Sequence, residues 1–393
     1  MNIVLGVTGS IAAFKAAELT SKLCKAGHNV HVILTKNGSE FVTPLTFETL
    51  SKNAVACDMF RRERPFEVEH ISLAKLADVF VVAPATANFI SKYAMGIADD
   101  MLTTTVLATR APVIIAPAMN TAMYEHAAVQ ENMRILRDRG VYFCEPETGV
   151  LACGDTGKGR MQEPALICEM IEKILTEQDY AGKRVLITAG ATREDIDPVR
   201  FLTNRSTGTM GVSLANAAAM RGASVTLVAG AVQARISDDV KVVSVRSTAD
   251  MYEAVSKHAD EADIVICAAA PADFTPREKS SIKIKKGDKD DLCISLMHTR
   301  DILKGIADKK GERLHIGFAA ETNDIEQNAK RKLTEKNLDA IAANDVSDES
   351  SGFGLGKNAV TLYMKDGRRY ESGPMEKPTL ANWLLDRIKE IWQ

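Results

Sequence analysis

The sequence predicts an α/β protein built as two doubly wound, Rossmann-like domains, and three observations carry that prediction. Short β-branched apolar runs alternate with amphipathic helical segments, the pattern of buried parallel strands joined by crossover helices. The pattern starts twice from a strand that runs into a glycine turn, first at Thr8-Gly9-Ser10 and again at Gly190. The chain has 393 residues, more than one ordinary core holds, and a polar link, Glu177-Gln178-Asp179-Tyr180-Ala181-Gly182, separates the two starts. The boundary is placed at 180, giving domains over 1–180 and 181–393.

A hydrophobic share of 46% and a charged share of 26% are those of a globular protein. The net charge of -3 is spread along the chain, which argues against general nucleic-acid binding, since that needs a basic domain or stripe. No apolar run approaches the ~20 residues of a membrane helix. The start, Met1-Asn2-Ile3-Val4-Leu5-Gly6, lacks the basic segment of a signal peptide and reads as a strand, so a cytoplasmic protein with no membrane partner is expected. The seven cysteines form no CxxC pair and have no histidine at metal-ligand spacing, which indicates neither a zinc site nor a disulfide framework. Cys24, Cys57, Cys144, Cys168, Cys267 and Cys293 lie in or beside apolar segments and read as small core residues; Cys153 stands apart in a glycine-rich polar loop.

In the first half the spacing predicts a strand over 3–7, then a helix whose Ala12, Ala16, Leu19 and Leu23 share one face. Backbone N–H groups at such a helix start can hold a phosphate, and Ser10 can cap as well as donate, although the same turn also occurs without a ligand. A strand over 29–34 leads into Thr35-Lys36-Asn37-Gly38-Ser39, and one over 78–83 into Pro84-Ala85-Thr86-Ala87-Asn88. Three strand ends thus carry hydroxyl and amide groups to one sheet edge, which fits a polar ligand lying across it. Asp99-Asp100-Met101-Leu102-Thr103-Thr104-Thr105 opens a further helix, where the hydroxyls read as capping chemistry. His70, in Glu69-His70-Ile71-Ser72-Leu73, starts a short helix, and an imidazole there serves either as a surface cap or as a base titrating near neutrality. The run Pro112-Val113-Ile114-Ile115 is a buried strand, and Ala116-Pro117-Ala118-Met119-Asn120 leaves its carboxyl end. The Asn120 amide there can cap the helix from Thr121 onward or hold a substrate carboxylate. The glycine-rich stretch 149–160 shows neither helical nor strand periodicity and reads as a mobile loop. It is either a lid that carries Cys153 beside Lys158 and Arg160, or a plain connection to a helix over 164–178. A thiol with an ordinary pKa of ~8.5 can donate a proton.

The second half repeats the scheme, with strand-like runs over 224–228, 240–245 and 264–268 and helical patterns between them. Asn204-Arg205-Ser206-Thr207-Gly208-Thr209-Met210-Gly211 precedes a helix over 208–221 and forms an anion cradle, which a dinucleotide fold would explain equally well. Asp273, just past a buried strand, can orient a metal or a ribose. The run Lys279-Ser280-Ser281-Ile282-Lys283-Ile284-Lys285-Lys286-Gly287 is a solvated face or a cover that neutralises a triphosphate. Gly352-Phe353-Gly354 reads as a flexible loop and 376–392 as a closing amphipathic helix.

Pro117-Ala118-Met119-Asn120-Thr121-Ala122-Met123 resembles the signature of the homo-oligomeric flavin-containing cysteine decarboxylases, which usually follow it with Trp where this chain has Tyr124. Gly9-Ser10-Ile11-Ala12-Ala13, Pro84-Ala85-Thr86-Ala87-Asn88 and Thr103-Thr104-Thr105 occur in the order and spacing of that family. The resemblance implies FMN, its phosphate at Gly9 and Ser10 and near Thr86, its ribityl and ring near Thr35, Asn88 and Thr103. It also implies His70 as the catalytic base, Asn120 as the holder of the substrate carboxylate, and Cys153, on a substrate clamp, as the proton donor of a reductive step.

The stretches Asn204 to Gly208, Ala268-Ala269-Ala270-Pro271-Ala272-Asp273, Lys283-Ile284-Lys285-Lys286, Gly317-Phe318-Ala319-Ala320-Glu321-Thr322 and Ala343-Asn344-Asp345 resemble the CTP-dependent phosphopantothenate–cysteine ligases. The two resemblances span nearly the whole chain, in the order of the bacterial bifunctional enzymes of coenzyme A synthesis. They imply an N-terminal flavoprotein fold acting as phosphopantothenoylcysteine decarboxylase and a C-terminal ligase fold, with 4′-phosphopantothenate, cysteine and CTP as small-molecule partners. Lys283 would promote formation of an acyl-cytidylate, Asn204 its conversion, and Arg200 would lie near the substrate and a subunit contact. Cys267, Ala268, Ala269, Asp273, Lys283, Arg300, Asp301, Ile302, Leu303, Phe318, Lys332 and Lys336 would surround CTP. Mg²⁺ follows from triphosphate chemistry, with no ligands assigned. The implied assembly is a homo-oligomer of flavin-domain trimers and ligase-domain dimers, a dodecamer. Two other readings are a flavin-binding regulatory subunit without turnover and a nicotinamide-linked oxidoreductase. The presence of His70, Asn120 and Cys153 speaks against the first, and the lack of GxGxxG against the second.

Overall fold

Strand β1 (Asn2–Val7) is apolar on both faces because both faces of its sheet are covered, and the same holds for the runs that follow it. The computed structural model describes residues 1–60, 68–150, 154–285, 292–321, 324–345 and 357–392. The chain divides into units Met1–Glu177 and Gln178–Gln393. Asp179 and Tyr180 therefore belong to the second unit, where Tyr180 is fully buried and donates to the Leu385 carbonyl at 2.7 Å.

In the first unit β1 joins β2 (Asn29–Leu34), β3 (Val79–Ala85), β4 (Val113–Pro117) and β5 (Tyr142–Phe143) in a parallel sheet of order β2-β1-β3-β4-β5. This is the flavodoxin-like doubly wound order, which reverses between β1 and β3. Every residue of β3 and β4 is buried. Leu19, Leu23, Ile167 and Ile171 pack on one face, and Ile90, Leu102 and Met133 on the other. Each such side chain contributes about 1.5–3 kcal/mol on burial. The helices run Ala13–Lys25 and Pro164–Leu175, the latter ending three residues short of its expected 178.

The glycine-rich stretch is not a structureless loop. It includes an antiparallel pair, β6 (Glu147–Val150) and β7 (Thr156–Arg160), outside the main sheet. Glycine has no side chain with which to show a two-residue period, so the pattern is silent in sequence. Cys153 lies outside the described residues.

In the second unit β8 (Arg184–Ala189) is followed by the small hairpin β9 (Arg193–Asp195) and β10 (Phe201–Thr203), then by β11 (Ser224–Ala229), β12 (Lys241–Ser244) and β13 (Ile264–Cys267). A second hairpin, β14 (Phe274–Pro276) with β15 (Leu296–His298), precedes β16 (Leu314–Glu321) and β17 (Ala340–Asp345). The short pair β18 (Lys357–Asn358) and β21 (Met375–Glu376) flanks β19 (Val360–Met364) and β20 (Arg369–Glu371). The main sheet has the order β12-β11-β8-β13-β16-β17-β19-β20. Its first six strands are parallel in the dinucleotide-binding order 3-2-1-4-5-6, and β19 and β20 extend it antiparallel. The closing helix is Lys377–Lys389. Arg221, almost buried, pairs with Asp179 at 2.5 Å and Asp386 at 2.7 Å, which ties the start of the unit to that helix. Among the described residues no helix is long and apolar enough to cross a membrane.

The cysteine expectation needs correction. Of the six described cysteines Cys144 is buried, where burial pushes its thiol up to about 12, and Cys24, Cys168 and Cys267 are half-buried against the core, but Cys57 and Cys293 are exposed. Their apolar sequence neighbours do not carry them inward, because an adjacent residue in an extended segment faces the opposite way.

Two candidate active sites

A cavity of about 550 Å³ opens at the carboxyl ends of β1, β2 and β3, where the strand order reverses. Gly9, Ser10, Thr35, Thr86, Asn88 and Thr103 all line it. Thr8 draws two of these strand ends together: its hydroxyl donates to the Pro84 carbonyl at 2.7 Å and accepts from the Thr86 N–H at 3.1 Å. Thr86 caps the helix Ala87–Met95 by accepting from the Phe89 N–H. Thr35 caps a short helical turn, Lys36–Ser39, where a loop is expected from sequence; its hydroxyl accepts from the Gly38 N–H at 3.1 Å. Ser10 does not cap the first helix, which starts at Ala13, but accepts within the turn from the Ala12 N–H at 3.3 Å. Thr103, which lines the cavity, forms a capping box with Asp100 through its hydroxyl. Volume and hydroxyl-rich lining fit a nucleotide-sized polar ligand.

Neither His70 nor Asn120, the expected reacting groups, is among the residues that line this cavity. His70 is half-buried near the start of the helix Glu69–Leu76. Asn120 caps the helix Thr121–Glu125 by accepting from the Ala122 N–H at 2.8 Å, and its amide donates to Asp155 at 3.1 Å. The next residues of the cavity wall, Met119 and Met123, flank it in sequence. Strand β7 lies tight against this segment, with the Met119 N–H donating to the Gly159 carbonyl at 3.0 Å.

Sequence reasoning missed the group that fastens β7. Glu145 accepts from Tyr124 at 2.8 Å, Lys158 at 2.9 Å and Arg137 at 2.6 Å, and the Lys158 ammonium lies 5.3 Å from the centre of the Tyr124 ring. Burial pushes the Glu145 carboxyl up, but these three donors outweigh it and hold it below its ordinary value. Burial, then the Glu145 carboxylate, push the Tyr124 phenol up. Only the departure of Tyr124 from the family's usual Trp signals this in sequence.

The second cavity, about 960 Å³, spans the ends of β8, β13, β16 and β17. Of the twelve residues expected around CTP, eleven line it; Lys283 does not. Asn204 lines it and donates to the Ala270 and Pro271 carbonyls, both at 3.1 Å, tying the end of β10 to the loop after β13. Lys336 pairs with Asp301 at 2.8 Å. Burial pushes the Asp301 carboxyl up, yet Lys336 and the Lys304 N–H outweigh that and hold it low. Burial raises the Cys267 thiol to about 12, so it stays protonated. Asn358 and Lys377 also line this cavity, and burial lowers the Lys377 ammonium; no sequence motif pointed to either. Arg200 lies outside the lining, its guanidinium engaged by Asp197 at 2.6 Å and by the Ile284 carbonyl at 2.8 Å. Among the described residues no cluster of three or more His, Cys, Asp or Glu could hold a metal ion.

A family model described as flavoprotein matches residues 1–176, and one described as DNA/pantothenate metabolism flavoprotein C-terminal domain matches residues 180–391. The chain is 50% identical to the coenzyme A biosynthesis bifunctional protein CoaBC of Bacillus subtilis (strain 168), over 99% of this chain and 97% of that one. It is 42% identical to the protein of the same description from Escherichia coli (strain K12), over 98% and 96%. A crystal structure of the C-terminal domain of such a protein is 41% identical, covers 55% of this chain and 98% of its own, and has a TM-score of 0.48.

Proposed function

The chain belongs to the family of coenzyme A biosynthesis bifunctional proteins, and on that premise we propose that it performs two consecutive steps of that synthesis, each in its own unit. The second unit joins cysteine to 4′-phosphopantothenate with CTP. The substrate carboxylate attacks the α-phosphate, pyrophosphate leaves, and the cysteine amine then displaces CMP. The first unit decarboxylates the product, 4′-phosphopantothenoylcysteine, to 4′-phosphopantetheine. The convergence of all six expected flavin residues on one cavity and eleven of twelve expected nucleotide residues on another carries this reading.

In the first unit FMN, when bound, supplies reversible two-electron oxidation of the substrate. Gly9, Ser10 and Thr86 would hold its phosphate beside the starts of two helices, and Thr35, Asn88 and Thr103 the rest. The Asn120 amide now donating to Asp155 would donate to the substrate carboxylate instead. His70 would take the substrate proton, and Cys153 would return one at the end.

In the second unit Asn204, which lines the cavity, would serve the reaction of the acyl-cytidylate with the amine, and Lys336, Lys332 and Arg300 would balance phosphate charge. Mg²⁺ would arrive on the triphosphate. Arg200 would meet substrate at a contact between two ligase units. Trimers of flavin units and dimers of ligase units, together a dodecamer, would cover apolar side chains such as Ile11 and Phe14, which are 57% and 60% exposed in the single chain. The protein would work in the cytoplasm.

The test is mass spectrometry of the purified protein with 4′-phosphopantothenate, cysteine, Mg²⁺ and CTP, beside an ATP control. The expected products are 4′-phosphopantetheine and CMP, formed with CTP. Accumulation of the cysteinyl adduct alone would refute the assignment of the first unit, and no turnover would refute both.

A further inference from the structure

The turn between β9 and β10 holds a carboxylate that the reaction scheme leaves unused. Asp197 has a fully buried side chain. Its Oδ1 accepts from the Val199 and Arg200 N–H groups, both at 2.8 Å. Its Oδ2 accepts from Arg200 Nε at 3.0 Å and Nη2 at 2.6 Å, and from the Ile284 N–H at 3.2 Å. Arg200 Nη2 in turn donates to the Ile284 carbonyl at 2.8 Å. Both backbone groups of Ile284 are thus captured by two side chains from one turn. The Ser280 N–H adds a donor to the Ile196 carbonyl at 3.0 Å.

Ile284 sits between Lys283 and Lys285, on a segment with little packing of its own; Ile282 is 74% exposed. The hairpin that holds this segment also ends at Thr203, directly before Asn204. One rigid element therefore fixes both Asn204, which lines the nucleotide cavity, and the base of the lysine run. A lysine ammonium is a point charge on a flexible stem, so its usefulness at a triphosphate depends on where its backbone is held.

We propose that Asp197, with Arg200, is a positioning residue that clips the backbone at Ile284 and so sets Lys283 in register with Asn204 for acyl-cytidylate formation. This rests on the reading of Lys283 given above. Asp197→Asn keeps an oxygen for the turn but presents an amide that cannot accept from Ile284. Pyrophosphate release from CTP and 4′-phosphopantothenate is expected to fall between about 10-fold and 100-fold in kcat, the range for a catalytic group displaced by about 1 Å, with the KM for CTP held. Trypsin is expected to cut faster after Lys285. Ile284→Pro removes the clipped N–H without touching Asp197, while also restricting the backbone at 284 and at Lys283, and is expected to reproduce both effects, which keeps the test open should Asp197→Asn misfold. Circular dichroism and the thermal melting of the variant chain serve as the folding control, since flavin content and decarboxylation report on the first unit alone.

The double variant Asp197→Asn with Lys283→Ala decides between positioning and mere structure. If Asp197 acts through Lys283, the double variant is no slower than Lys283→Ala alone. Additive losses, or a raised KM for CTP with kcat intact, would overturn the proposal. Normal pyrophosphate release by Lys283→Ala would instead overturn the underlying reading of Lys283, and the clip with it.

Discussion

Replacing Gly159 by alanine tests whether β7 holds the Asn120 segment in its working position. A Cβ built on Gly159 lies 2.2 Å from the Met119 carbonyl oxygen, whereas real Cβ contacts stay beyond 3.0 Å. Strand and segment must separate by at least the difference, 0.8 Å. A separation of that size strains the Met119 N–H to Gly159 carbonyl bond, 3.0 Å long, which joins the same two residues. Asn120 is the next residue, so its amide moves by a comparable distance. A shift near 1 Å in a positioning group costs about 100-fold in rate, about 2.7 kcal/mol of transition-state stabilisation. The assay is decarboxylation of 4′-phosphopantothenoylcysteine followed by mass spectrometry, with bound flavin read from visible absorbance. We expect flavin retained, ligation unchanged and kcat for decarboxylation reduced by about two orders of magnitude. Wild-type decarboxylation by Gly159→Ala, with flavin bound, would refute the reasoning.

Three further outcomes follow from the same geometry. Gly9→Val should give protein purified without flavin but active as a ligase, because a Cβ at Gly9 lies 2.5 Å from the Asn37 Cβ and must open the turn; absorbance and the two half-assays check it. Lys336→Ala should raise the KM for CTP by about tenfold or more by leaving Asp301 unpaired in the nucleotide cavity, with decarboxylation untouched; steady-state kinetics of pyrophosphate release decide. Asp179, held at about 2 chiefly by Arg221 and then by Lys389, against an ordinary 3.8, stabilises the second unit by about 2 kcal/mol at neutral pH. Because its folded pKa is depressed, that stability is present above about pH 4 and lost as pH falls toward 2, so thermal melting of the wild type should approach that of Asp179→Asn only in acid.

The parallel core was legible in the sequence because burial on both faces leaves an unbroken β-branched run, as in Val113-Ile114-Ile115, and because each crossover adds a helical period. The cavity-lining residues were legible for a related reason. Gly9, Ser10, Thr35, Thr86 and Asn88 follow directly on strand ends, and a doubly wound topology sends those ends to one edge. The rest depends on contacts that local pattern does not record. Strands β6 and β7 are glycine-rich, and their place is set by what touches them from afar, Thr121 against Gly157 and Met119 against Gly159. Tyr124, Glu145 and Lys158 meet across thirty-four residues of chain, and neither a charged residue nor a tyrosine announces its partner. Asn358 and Lys377 reach the nucleotide cavity from the short pair β18 and β21 and the helix that follows it.

The absent GxGxxG was a sound objection to a nicotinamide enzyme and yet misleading about topology, since β12-β11-β8-β13-β16-β17 has the dinucleotide-binding order. In that motif the glycines serve a tight turn, close backbone approach to phosphate, and helix-to-strand packing. Here the duties are divided among residues far apart in sequence. Gly190 makes the turn after β8 with φ of 82°. Gly208, φ 73°, starts the helix Thr209–Met220 so close that a Cβ would meet the Gly190 Cα at 2.9 Å. Gly211 lets that helix approach β8, where a Cβ would lie 2.6 Å from the Ala189 Cβ. Between Gly190 and Gly208 the chain inserts β9, the Asp197 turn, β10 and Asn204. Separating the glycines is what admits the hairpin β9–β10, and the hairpin brings the Asn204 amide to the cavity where a dinucleotide fold presents only its phosphate loop. The missing motif and the presence of the Asn204 amide in the cavity are then two consequences of the same insertion.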